Sequence, residues 1–376
     1  MTTYQRLGDY IREVNVRNRE LKVTNLLGLS MSKQFRPSTS NIVGVDLTKY
    51  KVVDRNVFAF DPMSVIRVHK VPIAINDTND PIIVSPAYYT FEVIDSFQLL
   101  PQYLMMWFQR TEFDRYADFK SDAAVRGGYD WDELCNTPIY IPSITRQREI
   151  VSEYETLTNR IRLNNQMIQN LEATAQALYR KTFVDNIDKE NLPEGWRMGT
   201  LSDIAKITMG QSPDGETYNT EGDGMIFYQG RTDFGWRFPK ARVYTTSPTR
   251  EAEIGDVLLS VRAPVGDLNI APHRCCLGRG LAGLRSKMNF QSYLYYQMVF
   301  LSDVFKVSDD EGTIFGSINK DDLYNIEVIV PNKQAIELFN TDASIIDNQV
   351  RILDSEITNL QELQSLLLAK MGNLKQ

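Results

Sequence analysis

The sequence predicts an α+β chain in which one plan occurs twice: a globular part, a long helix, a second globular part and a second long helix. Three observations predict it. Taken at spacings of four and three, the stretch 146–183 reads Ile150, Tyr154, Leu157, Ile161, Asn164, Ile168, Leu171, Ala175 and Leu178. The stretch 333–371 repeats the pattern 189 residues later as Phe339, Ala343, Ile346, Val350, Leu353, Ile357, Leu360, Gln364 and Leu367. A seven-residue repeat with one polar member each is the pattern of a coiled-coil seam, narrower than the apolar face of a surface helix. The second observation is that the offset continues upstream: Pro142 and Pro331 end matching apolar runs, and Asp132 and Leu134 precede Asp321 and Leu323 by the same 189 residues. So long a period means two homologous halves, not a solenoid. The third is that short apolar runs punctuated by Gly, Pro, Asn and Asp lie between the helices, as in sheets of short strands.

Four segments follow: globular domains at 1–142 and 185–331, and long helices at 143–184 and 332–376. The helices are expected to pair, Leu157, Ile161, Asn164, Ile168 and Leu171 on one seam and Ile346, Val350, Leu353, Ile357 and Leu360 on the other. A two-fold relation between the halves would make the pair antiparallel and set Asn164 opposite Leu353, where a single polar seam residue can specify register.

In chain order, residues 3–20 carry Leu7, Tyr10, Ile11 and Val14 at the spacing of a short amphipathic helix. Strand runs follow at 26–29, 50–53, 57–60, 71–75, 82–84 and 88–93, then a helix at 99–116, a polar loop at 121–133 and a strand at 138–141. A charged connector at 185–195 leads to the second domain. There a helix at 201–207 and a loop at 210–224 precede strands at 225–228, 257–261, 268–271 and 280–284. A helix at 291–305, a loop at 308–317 and a strand at 326–330 complete it.

Composition limits the function. The 41 basic and 48 acidic residues leave a net charge of −7, so any grip on nucleic acid is local or shared with a partner. Charges crowd the first twenty residues where a secretory signal needs an apolar core. Cys135, Cys275 and Cys276 lack metal or redox spacing and read as reduced thiols of a cytoplasmic protein. With only two histidines, histidine base chemistry and histidine-rich metal sites are disfavoured.

Two stretches imitate motifs. Gly278-Arg-Gly-Leu-Ala-Gly283 has dinucleotide-loop spacing but runs into a strand-like segment, so its glycines read as structural. Ser85-Pro-Ala-Tyr88 resembles the strip with which amino-methyltransferases hold a flipped base, but its third residue is Ala and no cofactor loop accompanies it; it reads as a strand edge.

The loops that suit a polyanion are Ser30, Lys33, Arg36 and Ser38, with Arg67 and Lys70, in the first half. In the second they are Gln211 and Ser212, then Gln229, Arg231, Lys240 and Arg242 in a run that also holds Phe234, Trp236, Arg237 and Phe238. Arg and Gln beside Gly suit base edges and phosphates, because Gly lets the backbone approach closely. The alternative is that the aromatics are core and the charges solvated.

The whole chain resembles the specificity subunits of Type I restriction–modification systems. The strongest stretches are Gly255-Asp-Val-Leu-Leu-Ser-Val-Arg-Ala-Pro-Val-Gly266 with Gly278-Arg-Gly-Leu-Ala-Gly283; Asn25-Leu-Leu-Gly-Leu-Ser30, Asp46-Leu-Thr-Lys-Tyr-Lys-Val-Val53 and Phe58-Ala-Phe60 are similar too. So is the Pro-ended strand leading to a long helix with a Gln near its start, Gln147 and Gln334. The resemblance implies two target-recognition domains, each reading half of a split double-stranded DNA sequence, separated by an antiparallel helix pair that docks two modification (methyltransferase) subunits, with restriction (motor/nuclease) subunits joining. It implies no catalysis, metal or cofactor on this chain, S-adenosylmethionine, ATP and Mg belonging to the partners. A DNA adenine methyltransferase-related enzyme and a protein-only adaptor or decoy are the alternatives.

Overall fold

The computed structural model describes residues 4–38, 44–122, 128–185, 187–262, 264–310 and 317–372. The chain forms two compact units, Met1–Asn164 with Glu356–Gln376 and Asn165–Ser355, so each unit takes in part of both long helices.

In the first unit a four-stranded antiparallel sheet runs in the order Ile11–Glu13, Tyr89–Val93, Phe58–Phe60, Ile73–Ile75. Lys51–Val53 pairs with Ile82–Val84, Leu27–Leu29 forms a hairpin with Phe35–Pro37, and Gln5–Arg6 pairs with Pro138–Ile139. Phe58 and Phe91 stack at 4.8 Å and meet Phe108 of the helix Pro101–Gln109 edge-on. That helix starts on Pro101, whose missing N–H costs nothing at the first turn.

The second unit repeats much of the plan and adds a five-stranded mixed sheet. Its four-stranded sheet runs Ala205–Met209, Leu281–Ser286, Val257–Ser260, Leu268–Ile270, all antiparallel. Glu251–Ala252 pairs antiparallel with Cys275–Leu277, as Lys51–Val53 does with Ile82–Val84. Met225–Tyr228 lies parallel to Cys275–Leu277, where the first unit has only a parallel bridge from Leu26 to Ile83. Arg197–Thr200 pairs with Glu327–Val330, the strand that leads to the second long helix. The short helices Trp131–Cys135 and Lys320–Tyr324 bury Leu134 and Leu323 at the 189-residue offset, capped by Asp130 and Asn319.

Several elements differ from the sequence reading. Residues 3–20 are not a helix: Gln5–Arg6 and Ile11–Glu13 are strands around one tight turn, Leu7–Asp9. Pairing with Tyr89–Val93 outweighed a weak helical spacing. The expected helix at 99–116 breaks at Arg110, which is extended, and resumes as Thr111–Asp122, displacing the start of the expected loop. Residues 123–127 of that loop lie outside the described residues, as does most of the loop at 308–317. The helix at 201–207 is one turn, Leu201–Ile204, leading directly into a strand, and the helix that begins at Gln291 reaches Asp310. The strands Tyr218–Asn219, Tyr244–Thr245, Glu251–Ala252 and Cys275–Leu277 were not anticipated.

The long helices span Ile144–Phe183 and Lys333–Met371. Within the first unit they run antiparallel: Arg160 pairs with Glu356 at 2.7 Å, and Gln364 Nε2 donates to Thr158 Oγ1 at 2.7 Å. Within the second unit the rings of Tyr179 and Phe183 lie 5.6 and 5.4 Å from that of Phe339. Asn164, Ile168, Val350, Leu353 and Ile357 are buried, and Leu157, Ile161, Leu171, Ile346 and Leu360 half-buried. Gln147 is also buried: its side chain accepts from Leu100 N and donates to the Gln98 and Pro142 carbonyls, while Gln334 is exposed. The two glutamines are therefore not structural equivalents.

Candidate nucleic-acid interface

In the second unit the ends of several strands meet at one corner. Ala205–Met209 runs out at Gly210, Met225–Tyr228 at Gln229 and Val257–Ser260 just before Arg262, and the turn at 278–280 links two further strands. Glycine makes the meeting possible. A Cβ on Gly210 would sit 2.1 Å from the Gly278 carbonyl oxygen, and one on Gly278 would sit 2.7 Å from that of Gln229. The N–H groups of Gly278, Gln211 and Val261 close the corner on the carbonyls of Tyr228, Leu277 and Gly280 at 2.8, 2.9 and 2.9 Å. The glycines of 278–283 thus serve backbone packing ahead of a strand, as the sequence indicated.

Two adjoining hollows of about 530 and 760 Å³ share Arg262 and Arg279, and the larger is also lined by Gln211, Ser212 and Gln229. Three predicted residues are therefore brought together, beside two arginines that were quoted only within motifs. Both arginines are exposed, and among the described residues neither guanidinium meets a carboxylate. The contrast with their neighbours is sharp. Arg231 pairs with Asp267 at 2.6 Å, Arg242 with the buried Asp233, Arg274 with Glu251 and Arg285 with Asp256. A guanidinium already held by a carboxylate has less to offer a phosphate or base. Lys240 is exposed, and its N–H donates to the Asp233 carbonyl at 2.8 Å.

The predicted residues of the first unit divide differently. Lys33, in the hairpin turn, is buried: Nζ pairs with Asp114 at 2.8 Å, donates to the Phe108 carbonyl and lies over the Phe113 ring. Burial lowers its pKa despite Asp114. Its expected role at a polyanion face is corrected: the ammonium ties the hairpin to the helices behind it. Ser30 accepts from Gln34 N and donates to the Gln34 carbonyl, which makes it a turn residue. Arg36, Arg67 and Lys70 are exposed, and Ser38 is half-buried. Ser85–Tyr88 is a turn between Ile82–Val84 and Tyr89–Val93, not a strand edge, and it occupies the place that the turn at 278–280 holds in the second unit. Burial and the nearby Asp61 carboxylate raise the Tyr88 pKa there, so the equivalent corner carries different chemistry.

Sequence reasoning missed one cluster. Arg237, read as part of a basic run, is 1% exposed. It pairs with Glu172 of the first long helix and Asp347 of the second, and lies over the Tyr295 ring at 4.3 Å. Tyr296 donates to Asp347 at 3.0 Å. Burial pushes the Glu172 carboxyl up, with Arg237 opposing and Asp347 adding to the rise. The one signal in the sequence is that Glu172 and Asp347 each follow a seam residue by one position, where a carboxylate borders the seam.

All three cysteines are buried and unpaired, and burial first, then Asp256, pushes the Cys275 thiol up to about 12. Among the described residues no helix is long and apolar enough to cross a membrane, and no cluster of His, Cys, Asp and Glu is placed to hold a metal.

The domain holding the corner matches a known family. Residues 193–366 match the Type I restriction modification DNA specificity domain. A putative type I restriction enzyme MjaX specificity subunit of Methanocaldococcus jannaschii is 29% identical over 284 residues, covering 72% of this chain and 65% of that protein's length. The HindI specificity subunit of Haemophilus influenzae is 20% identical over 365 residues, covering 73% of this chain and 77% of that one. The solved S subunit of a Type I restriction–modification system from M. genitalium shares the fold at a TM-score of 0.60, with 13% identity over 98% of this chain and 95% of that one.

Proposed function

We propose that this chain is the non-catalytic, sequence-specific DNA-recognition subunit of a cytoplasmic Type I restriction–modification complex. Each unit reads one half of a bipartite double-stranded target. The observation that carries the reading is the corner where Arg262 and Arg279, which meet no carboxylate among the described residues, lie with Gln211 and Gln229 in a segment that matches a DNA specificity domain. Arginine donates two parallel hydrogen bonds to guanine or grips phosphate, and glutamine suits adenine. A net charge of −7 fits a subunit whose partners share the phosphate contacts.

In this reading two modification subunits dock along the long helices and carry S-adenosylmethionine, and restriction subunits bring ATP and Mg. Methylome sequencing of cells with and without the chain tests it. The expected result is a split adenine-methylated motif present only with the chain; an unchanged methylome with the chain expressed beside its modification subunit would sink it.

A further inference from the structure

The segment 229–242 carries Gln229, Arg231, Lys240 and Arg242, four residues of the candidate interface, but little regular structure: one turn at Arg231–Asp233 and no strand. Its shape is held from within and by the adjoining strand Leu268–Ile270. Asp233 accepts from the N–H groups of Gln229 and Gly230 at 2.7 and 3.3 Å and pairs with Arg242. Asn269 accepts from Gly235 N at 3.1 Å, and the Arg237 carbonyl accepts from Ile270 N at 2.8 Å. Arg237 reaches out of this local web to both long helices, bridging Glu172 and Asp347 against Tyr295 and Tyr296 of the helix Gln291–Asp310.

A buried cation between two carboxylates is seldom the most stable solution, since apolar side chains of similar volume often do as well or better. What it supplies is direction. A planar guanidinium reaching carboxylates on two different helices fixes the place of its own backbone relative to both, which a methionine cannot do. We propose that Arg237 is a positioning residue for DNA reading: through Glu172 and Asp347 it sets the segment 229–242 on the two long helices and so holds Gln229 at the corner beside Arg262 and Arg279. The inference rests on the DNA reading above and deepens it. It also gives the second long helix a part in recognition, because Asp347 lies outside the segment that meets DNA.

The test selects targets from a random-sequence duplex pool with the full chain and its co-expressed modification subunit. It compares the parent with Arg237→Lys and with the triple variant Arg237→Met, Glu172→Leu, Asp347→Leu. The triple variant removes every charge and keeps the packing, so a merely structural role predicts parental melting and a parental motif. Positioning predicts parental melting with enrichment of one half-site reduced about tenfold and the other half-site unchanged. Arg237→Lys, which keeps the charge but not the fork, loosens the same half-site and carries the test should the triple variant not fold. Variants that keep both half-sites, or lose both while folded, overturn the inference and leave the DNA reading standing. A parent that selects nothing overturns both.

Discussion

The two units share a plan down to the order of their four-stranded sheets, yet their buried cations find different partners. In the first, Lys33 reaches Asp114 and the Phe108 carbonyl, all within the globular part. In the second, Arg237 reaches out to both long helices. The first unit secures its helix ends by other means: Arg110 stacks on Trp107 at 4.3 Å and donates to the Leu368 carbonyl at 3.1 Å, and Tyr4 donates to the Gly372 carbonyl at 3.1 Å. The lesson is that backbone topology survives duplication while side-chain anchoring does not. Sheet order depends on which strands are apolar, which many sequences satisfy; a buried ion pair needs particular partners at particular distances.

The most severe break is expected at Val350, fully buried in the second unit. Val350→Asp places an unpaired carboxylate where nothing can solvate it, a cost of several kcal/mol. The midpoint of unfolding should fall steeply and co-purification with modification subunits should cease. A folded variant that still binds them would remove the long helices from the docking argument.

Next come the carboxylates around Arg237. Asp347→Asn with Glu172→Gln leaves a buried guanidinium without a counter-charge and should cost about 3–5 kcal/mol in a denaturant titration. Glu172→Gln alone behaves differently. The Glu172 pKa is raised on folding, so the folded chain holds a proton that the unfolded chain has released. Its contribution is complete below the unfolded value and is lost as pH rises through the folded value. The Gln variant, which cannot titrate, should therefore gain stability relative to the parent as pH rises above the ordinary glutamate range. A constant difference over that rise would show that Glu172 titrates normally.

Smaller effects separate the two corners. Arg262→Ala and Arg279→Ala should each weaken DNA binding. A phosphate contact lowers the salt slope by about one, and a base contact costs about 1–3 kcal/mol at one position of one half-site. Arg231→Ala and Arg242→Ala, whose parents are held by carboxylates, should change affinity less. Equal losses at all four, measured by fluorescence anisotropy across a salt series, would mean that the ion pairs open on binding.

The least effect on DNA is expected for Lys33→Met. It should lower stability by about 1–3 kcal/mol, because Asp114 loses its buried partner, while affinity per folded molecule stays at the parental value. Arg36→Ala and Lys70→Ala should do the reverse, sparing stability and flattening the salt dependence. If Lys33→Met alone abolishes binding with the fold intact, its burial does not describe the bound state.

Much of this architecture was legible in the sequence, because periodic burial writes itself into composition. The repeat from Ile150 and Phe339 marked both long helices, and the 189-residue offset marked the duplication. Leu134 and Leu323 are buried in matching short helices for that reason. The glycines of 278–283 also declared themselves as packing residues, since they lead into an apolar strand. What the sequence left undecided was which cations stay exposed. Lys33 and Arg36 stand in one turn-rich stretch and Arg231 and Arg237 in one basic run, yet Lys33 and Arg237 are buried and the other two exposed. No local pattern separates them, because their carboxylates, Asp114, Glu172 and Asp347, lie between 65 and 110 residues away or on another element. Residues 3–20 failed for the same reason: a strand that pairs with Tyr89–Val93 can carry a helical spacing, and only the partner strand decides. One-dimensional order records which residues leave water; the partner that each buried charge or edge strand finds is settled only when distant parts of the chain come together.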